Sequence, residues 1–106
     1  MSRLSPASLP AADAAAAPSD FPTVCFAISA RPEPAVMPRV LEPFAKRGLV
    51  PSRWHAVCGP TGDDLVIDLQ IAGLDPALVE LIAASLRQIV GVESVLTAEK
   101  RYALSA

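Results

Sequence analysis

The chain has 106 residues, 52% of them hydrophobic and 19% charged, with a net charge of −2. That describes one globular domain with a single modest core, and a second domain does not fit. The slight acidity gives no basic face for nucleic acid, and Pro, Asp or Arg interrupts every apolar run well short of a membrane span.

Residues 1–21 are expected to form a disordered tail, because they are mostly Ala, Ser, Pro and Asp, with little beyond Leu4 and Leu9 to bury. Arg3 is followed by Pro6, Pro10 and Asp13 where an apolar export segment would lie, and the cysteines number two. A cytoplasmic, reducing location is therefore expected.

Thr23 to Ala30 alternates, with Val24, Phe26 and Ile28 on one face and Cys25, Ala27 and Ser29 on the other, which is the period of a strand. Pro34 suits the first turn of a helix. Val36, Met37, Val40, Leu41 and Phe44 then recur at helical spacing until Gly48 stops it. Pro38 costs one early backbone bond, whereas Pro43 lies deeper and should kink the helix or expose the Arg39 carbonyl.

Leu49 to Cys58 reads as a second strand, and Pro51, which cannot donate to a ladder, puts it at a sheet edge. Gly59 to Asp63 makes a hairpin connection. Leu65, Ile67, Leu69 and Ile71 alternate with Asp64, Val66, Asp68 and Gln70, giving a strand with one buried face and one wet face. Asp75 is an N-cap, Pro76 a first helical residue, and Val79, Ile82, Leu86 and Ile89 form the apolar stripe of a helix that closes at Gly91. Val92 to Glu99 returns to strand residues, and 101–106 form a short tail.

The order is βαββαβ. With right-handed crossovers it folds as an α+β, ferredoxin-like sandwich, a four-stranded antiparallel sheet with two helices on one face and its first and third strands central. The other face then carries Cys25, Ala27, Ser29, Val66, Asp68 and Gln70, which lack the aromatics of an RNA-stacking platform.

No catalytic group stands out. Cys25, His55 and Cys58 are the soft metal ligands and nucleophiles, but the fold separates the cysteines by two strand spacings of about 4.8 Å, which suits neither a disulfide nor a shared metal. Asp63, Asp64 and Asp68 read as solvated carboxylates. Arg31 and Glu33 flank the first loop and suit a ligand's carboxylate and ammonium; they suit ordinary loop charges equally. Trp54, with Ser52 and His55 beside it, lies on an edge strand, where an indole is covered either by its own core or by a partner.

From Pro22 to Lys100 the chain resembles an ACT domain, the amino-acid-sensing regulatory module. Within that group it looks most like the short, single-domain small subunits of acetolactate synthase. The matching stretches are ISARPEPAVMPRVLEPFAKRGL, from Ile28 to Leu49, and LRQIVGVESV, from Leu86 to Val95. The resemblance implies a regulatory domain over 22–100 without a metal or cofactor of its own. It further implies binding to the catalytic subunit of acetolactate synthase, a thiamine-diphosphate enzyme, and a place in branched-chain amino-acid synthesis. In ACT domains the loop after the first strand usually reads Asn-x-Pro-Gly and holds a small amino acid at a subunit interface. Here those positions resemble Pro32, Glu33, Pro34 and Ala35, so the implied ligand residues are Arg31, Glu33, Pro34, Ala35 and Val36. Pro32 lacks the Asn side chain and an N–H, and Ala35 adds a methyl, so weak or absent valine feedback is expected. A homodimer is expected from the unprotected second strand, with Ser52, Trp54 and His55 at its interface. A freestanding amino-acid sensor or interaction module for another metabolic enzyme is the alternative.

Overall fold

Alternation dictates the first element. In the computed structural model, which describes residues 21–100, strand β1 runs Thr23–Ala30 and buries Val24, Phe26, Ile28 and Ala30, with Thr23 buried at its start, while Cys25, Ala27 and Ser29 face the other way half-buried. The tails expected before residue 21 and from 101 onward lie outside the described residues. Helix α1 follows at Val36–Ala45, then strands β2 at Arg53–Cys58 and β3 at Leu65–Ile71, helix α2 at Pro76–Arg87 and strand β4 at Val92–Lys100. The sheet order is β2-β3-β1-β4 with every neighbouring pair antiparallel, the ferredoxin-like arrangement expected of this element order.

The core lies between that sheet and the helices. Leu65, Ile67, Leu69 and Ile71 of β3 join the buried row of β1, and Val36, Val40 and Phe44 of α1 and Ile82, Ala83 and Leu86 of α2 close over them. Phe26 and Phe44 meet edge to face, with ring centroids 5.1 Å apart and planes at 82°, the geometry in which one ring's positive edge meets the other's negative face.

Three boundaries differ from the sequence expectation. Helix α1 begins at Val36, because Pro34 and Ala35 form a separate turn in which Val36 N–H donates to the Glu33 carbonyl at 3.0 Å. Strand β2 starts at Arg53, beyond Pro51, so that proline interrupts no ladder bond within the strand. The stripe of α2 ends earlier than Ile89, which lies past the helix and is half-buried, while Ala83 is buried in its place.

Pro43 remains inside α1 and is buried. The turn after it tightens: Arg47 N–H donates to Phe44 O, Gly48 N–H to Ala45 O, and Leu49 N–H reaches back to Phe44 O at 2.9 Å. Gly48, at φ +73°, makes this left-handed exit possible, and Arg47 Nη1 donates to the Pro43 carbonyl at 2.7 Å. At α2, the Asp75 carboxylate accepts from Ala77 N–H at 2.9 Å, and Pro76 sits where its missing N–H costs nothing.

Candidate functional site

The β1–α1 loop is built from proline and from bonds the chain makes to itself. Arg31 N–H donates to the Gly91 carbonyl at 2.8 Å, tying this loop to the start of β4, and Glu33 N–H donates to the Arg31 carbonyl at 2.7 Å. Val36 N–H is taken by Glu33. Pro32, Pro34 and Pro38 have no N–H, so Ala35 and Met37 are the backbone donors left over residues 31–38. No two neighbouring free amides remain to grip a carboxylate.

Side chains tell the same story. Arg31 Nε and the Glu33 carboxylate pair at 3.3 Å, at side-chain exposures of 56% and 48%, an ion pair worth at most about 1 kcal/mol that occupies both charges. Pro34 and Ala35 are exposed, whereas Val36 is buried in the core and offers a ligand nothing. The residues expected to bind an amino acid are thus contiguous in space, but their polar groups already satisfy one another.

The expected interface residues lie toward the other end of the sheet. Arg53 pairs with Gln70 and through it with Cys25, six residues along β1 from Arg31, roughly 20 Å away. Ser52 caps the edge locally, its N–H and hydroxyl both donating to the Gln70 carbonyl at 2.8 and 3.2 Å. Trp54 and His55 point to opposite faces. Trp54, opposite Leu69, packs half-buried against the core beneath the helices; His55, opposite Asp68, is exposed on the open face. An interface that uses both must wrap the β2 edge.

Cys25 and Cys58 are free and stand on opposite faces of the sheet, two strands apart. Among the described residues no three His, Cys, Asp or Glu side chains gather where a metal ion would sit. The open face carries the residues expected of it. To these it adds Arg53, His55 and Val57 of β2 and Ser94, Leu96 and Ala98 of β4, with Leu96 69% exposed.

A cavity of about 260 Å³ lies where sequence reasoning did not look, between the first turns of α2 and the β1–β4 side of the sheet. Val24, Pro76, Val79, Thr97 and the carboxyl-bearing Glu80 and Glu99 line it. Its residues come from three elements and share no motif. Only the pairing of Val24 with Glu99 brings them together.

The decisive comparison is with family models: residues 20–103 match that of the ACT-like domain. The chain belongs to the ACT-like domain family. ACT-like domains are regulatory or ligand-sensing modules and typically not catalytic. No curated protein matches this sequence. Among solved structures, the ACT-like domain is similar to the uncharacterized protein TM1266 from Thermotoga maritima, at TM-score 0.61 and 16% identity over 76% of this chain and 98% of that one. It is also similar to the C-terminal domain of the MgtC protein from Mycobacterium tuberculosis, at TM-score 0.61 and 16% identity over 81% and 95%. At that identity the likeness is one of fold. Among the described residues no helix is long and apolar enough to cross a membrane.

Proposed function

We propose that this ACT-like domain is a non-catalytic regulatory subunit that acts by association, with little or no response to amino acids. The observation that carries this is the β1–α1 loop. Two prolines in it, a third in the first turn of α1, and the internally bonded amides of Arg31, Glu33 and Val36 leave it without the adjacent donors a ligand carboxylate needs. A module that keeps the fold but gives up the donors retains only its surfaces to work with.

The partner we propose is the catalytic subunit of acetolactate synthase, which the domain would stabilise or activate; the resemblance of Ile28–Leu49 and Leu86–Val95 supports this choice. We further propose that two copies pair along β2 about a two-fold axis, with Ser52, Trp54 and His55 at the seam. Mixing the purified domain with the large subunit from the same cell tests the assignment. Co-purification and a changed synthase rate are expected; two proteins that neither co-purify nor alter the rate overturn it.

The second reading, a sensor or interaction module for another metabolic enzyme, is favoured by the cavity beside Glu80, whose carboxylate suits a ligand's ammonium. Thermal shift that responds to an amino acid, and that is lost in Glu80→Ala, would select it.

A further inference from the structure

We infer that the outer edge of β4 is a strand-addition surface for a second copy of this chain, and that the Arg87 guanidinium holds it closed. The pairing of β1 decides which backbone groups of β4 face outward. Arg31 N–H donates across to Gly91 O, so Arg31 faces β4. Groups along an antiparallel strand alternate between its two neighbours, and β1 pairs with β3 in unbroken register. Ser29, Ala27 and Cys25 therefore also bond toward β4, while Ala30, Ile28 and Phe26 bond toward β3. Val95 stands opposite Ile28 and Thr97 opposite Phe26, so both turn their N–H and C=O groups away from the sheet, to the outer edge.

That edge is open to pairing by the usual criteria. Strand β4 is nine residues long, contains no proline, and runs uncharged from Ser94 to Ala98. Strand β2, the opposite edge, is six residues long and carries Arg53 and His55. Natural edges are kept from pairing by short length, charge, a bulge or a covering group; β4 has a register shift at its start, between its pairings of Ser29 and Ala30, but lacks the first three from Ser94 to Ala98.

It has the fourth. Arg87, in the last turn of α2, sends Nη2 to the Val95 carbonyl at 2.9 Å, in a partly buried bond. Another outward group at this end, Val92 N–H, donates to the Ile89 carbonyl at 3.0 Å. The Arg87 side chain and the turn after α2 thus occupy outward groups of Val95 and Val92, and the guanidinium holds the carbonyl through which an added strand would register. One covered edge leaves one edge for pairing, which limits assembly to a closed pair of copies in place of an open-ended sheet.

Arg87→Met tests this, since Met keeps the long aliphatic stem and the helix propensity but removes every donor. We expect a sedimentation mass at least roughly twice that of the unmodified chain at equal concentration, rising with concentration. The outward amides of Val95 and Thr97 should exchange about tenfold more slowly as β4 pairs with β4 of the second copy. Adding Leu96→Lys, which sets like charges across the new seam, should reverse both effects. An unchanged mass overturns the inference, as does a larger mass without slower exchange at Val95 and Thr97. Loss of the circular dichroism of the fold in Arg87→Met overturns it too, by showing that the residue serves stability alone.

Discussion

Gly91 and Val36 are in contact in a way that only glycine allows. Gly91 sits at φ +101°, and a methyl placed on it would come within 2.9 Å of Val36 Cγ2. Val36 is fully packed and cannot retreat, and the Gly91 carbonyl is the one that accepts from Arg31. The contact therefore sets the spacing between the β1–α1 loop and the start of β4.

Gly91→Ala should lower stability by about 2 to 3 kcal/mol, combining left-handed backbone strain with the displaced Val36 methyl. Gly48 supplies the control. It is also left-handed, at φ +73°, but nothing lies within 4 Å of a methyl there, so Gly48→Ala should cost only the strain, about 1 kcal/mol. Urea unfolding of both variants measures the difference. Equal losses would mean that the Val36 contact carries no weight.

Much of this was legible beforehand because the strands announce themselves. The alternation of Val24, Phe26 and Ile28 and of Leu65, Ile67, Leu69 and Ile71 buries one face only if apolar residues stand opposite apolar ones, as Phe26 does Leu69 and Ile28 does Ile67; a slip of one residue would turn that face outward. Asp75 and Pro76 marked the start of α2 by chemistry that acts within one turn. The start of α1 is not legible in the sequence, because Pro34 fits a helical φ as well as it fits the turn that precedes Val36. The candidate site was less legible. Whether the Val36 amide is free depends on a carbonyl three residues back, and the link from Arg31 to Gly91 spans sixty residues of chain. The Arg87 bond to Val95 likewise needs the strand order before it has meaning.

Phe44 is the side chain on which α1 depends most. It is fully buried, meets Phe26 edge to face, and its carbonyl accepts the two bonds that end the helix. Phe44→Ala should cost about 3 to 5 kcal/mol, and Phe44→Leu, which keeps most of the volume, clearly less. The order of the two midpoints in denaturant checks it; a Phe44→Leu variant as weak as Phe44→Ala would show that ring geometry matters more than filled space.

Trp54 lies at the margin between core and edge, packed half-buried against the helix side of β2. If the proposed dimer pairs along β2, the exposed part of the indole is covered by the second copy, and Trp54→Ala should weaken the dimer by about 2 kcal/mol or more. Sedimentation across a range of concentrations reads this separately from stability. A variant that is less stable but dimerises with the same constant would assign Trp54 wholly to the core.

The valine response follows from the loop's donor count. A free amino acid held at the start of α1 must present its carboxylate to backbone N–H groups there, where the helix dipole favours an anion. The Val36 N–H is bound to Glu33, Pro32 supplies none, and Ala35 adds a methyl to the approach. Losing two hydrogen bonds of about 1 to 1.5 kcal/mol each weakens binding roughly 30- to 150-fold. Millimolar valine, leucine or isoleucine should therefore leave the melting temperature unchanged, and a reproducible rise specific to one of them would contradict the reading. Pro32→Asn with Ala35→Gly restores one amide, one side-chain donor and the room for close approach. That double variant should gain a thermal shift with valine. If it gains none while folding as the parent does, the Val36 amide, still held by the Glu33 carbonyl, is the donor the site lacks, and the loop has been closed by its own backbone more than by its two altered residues.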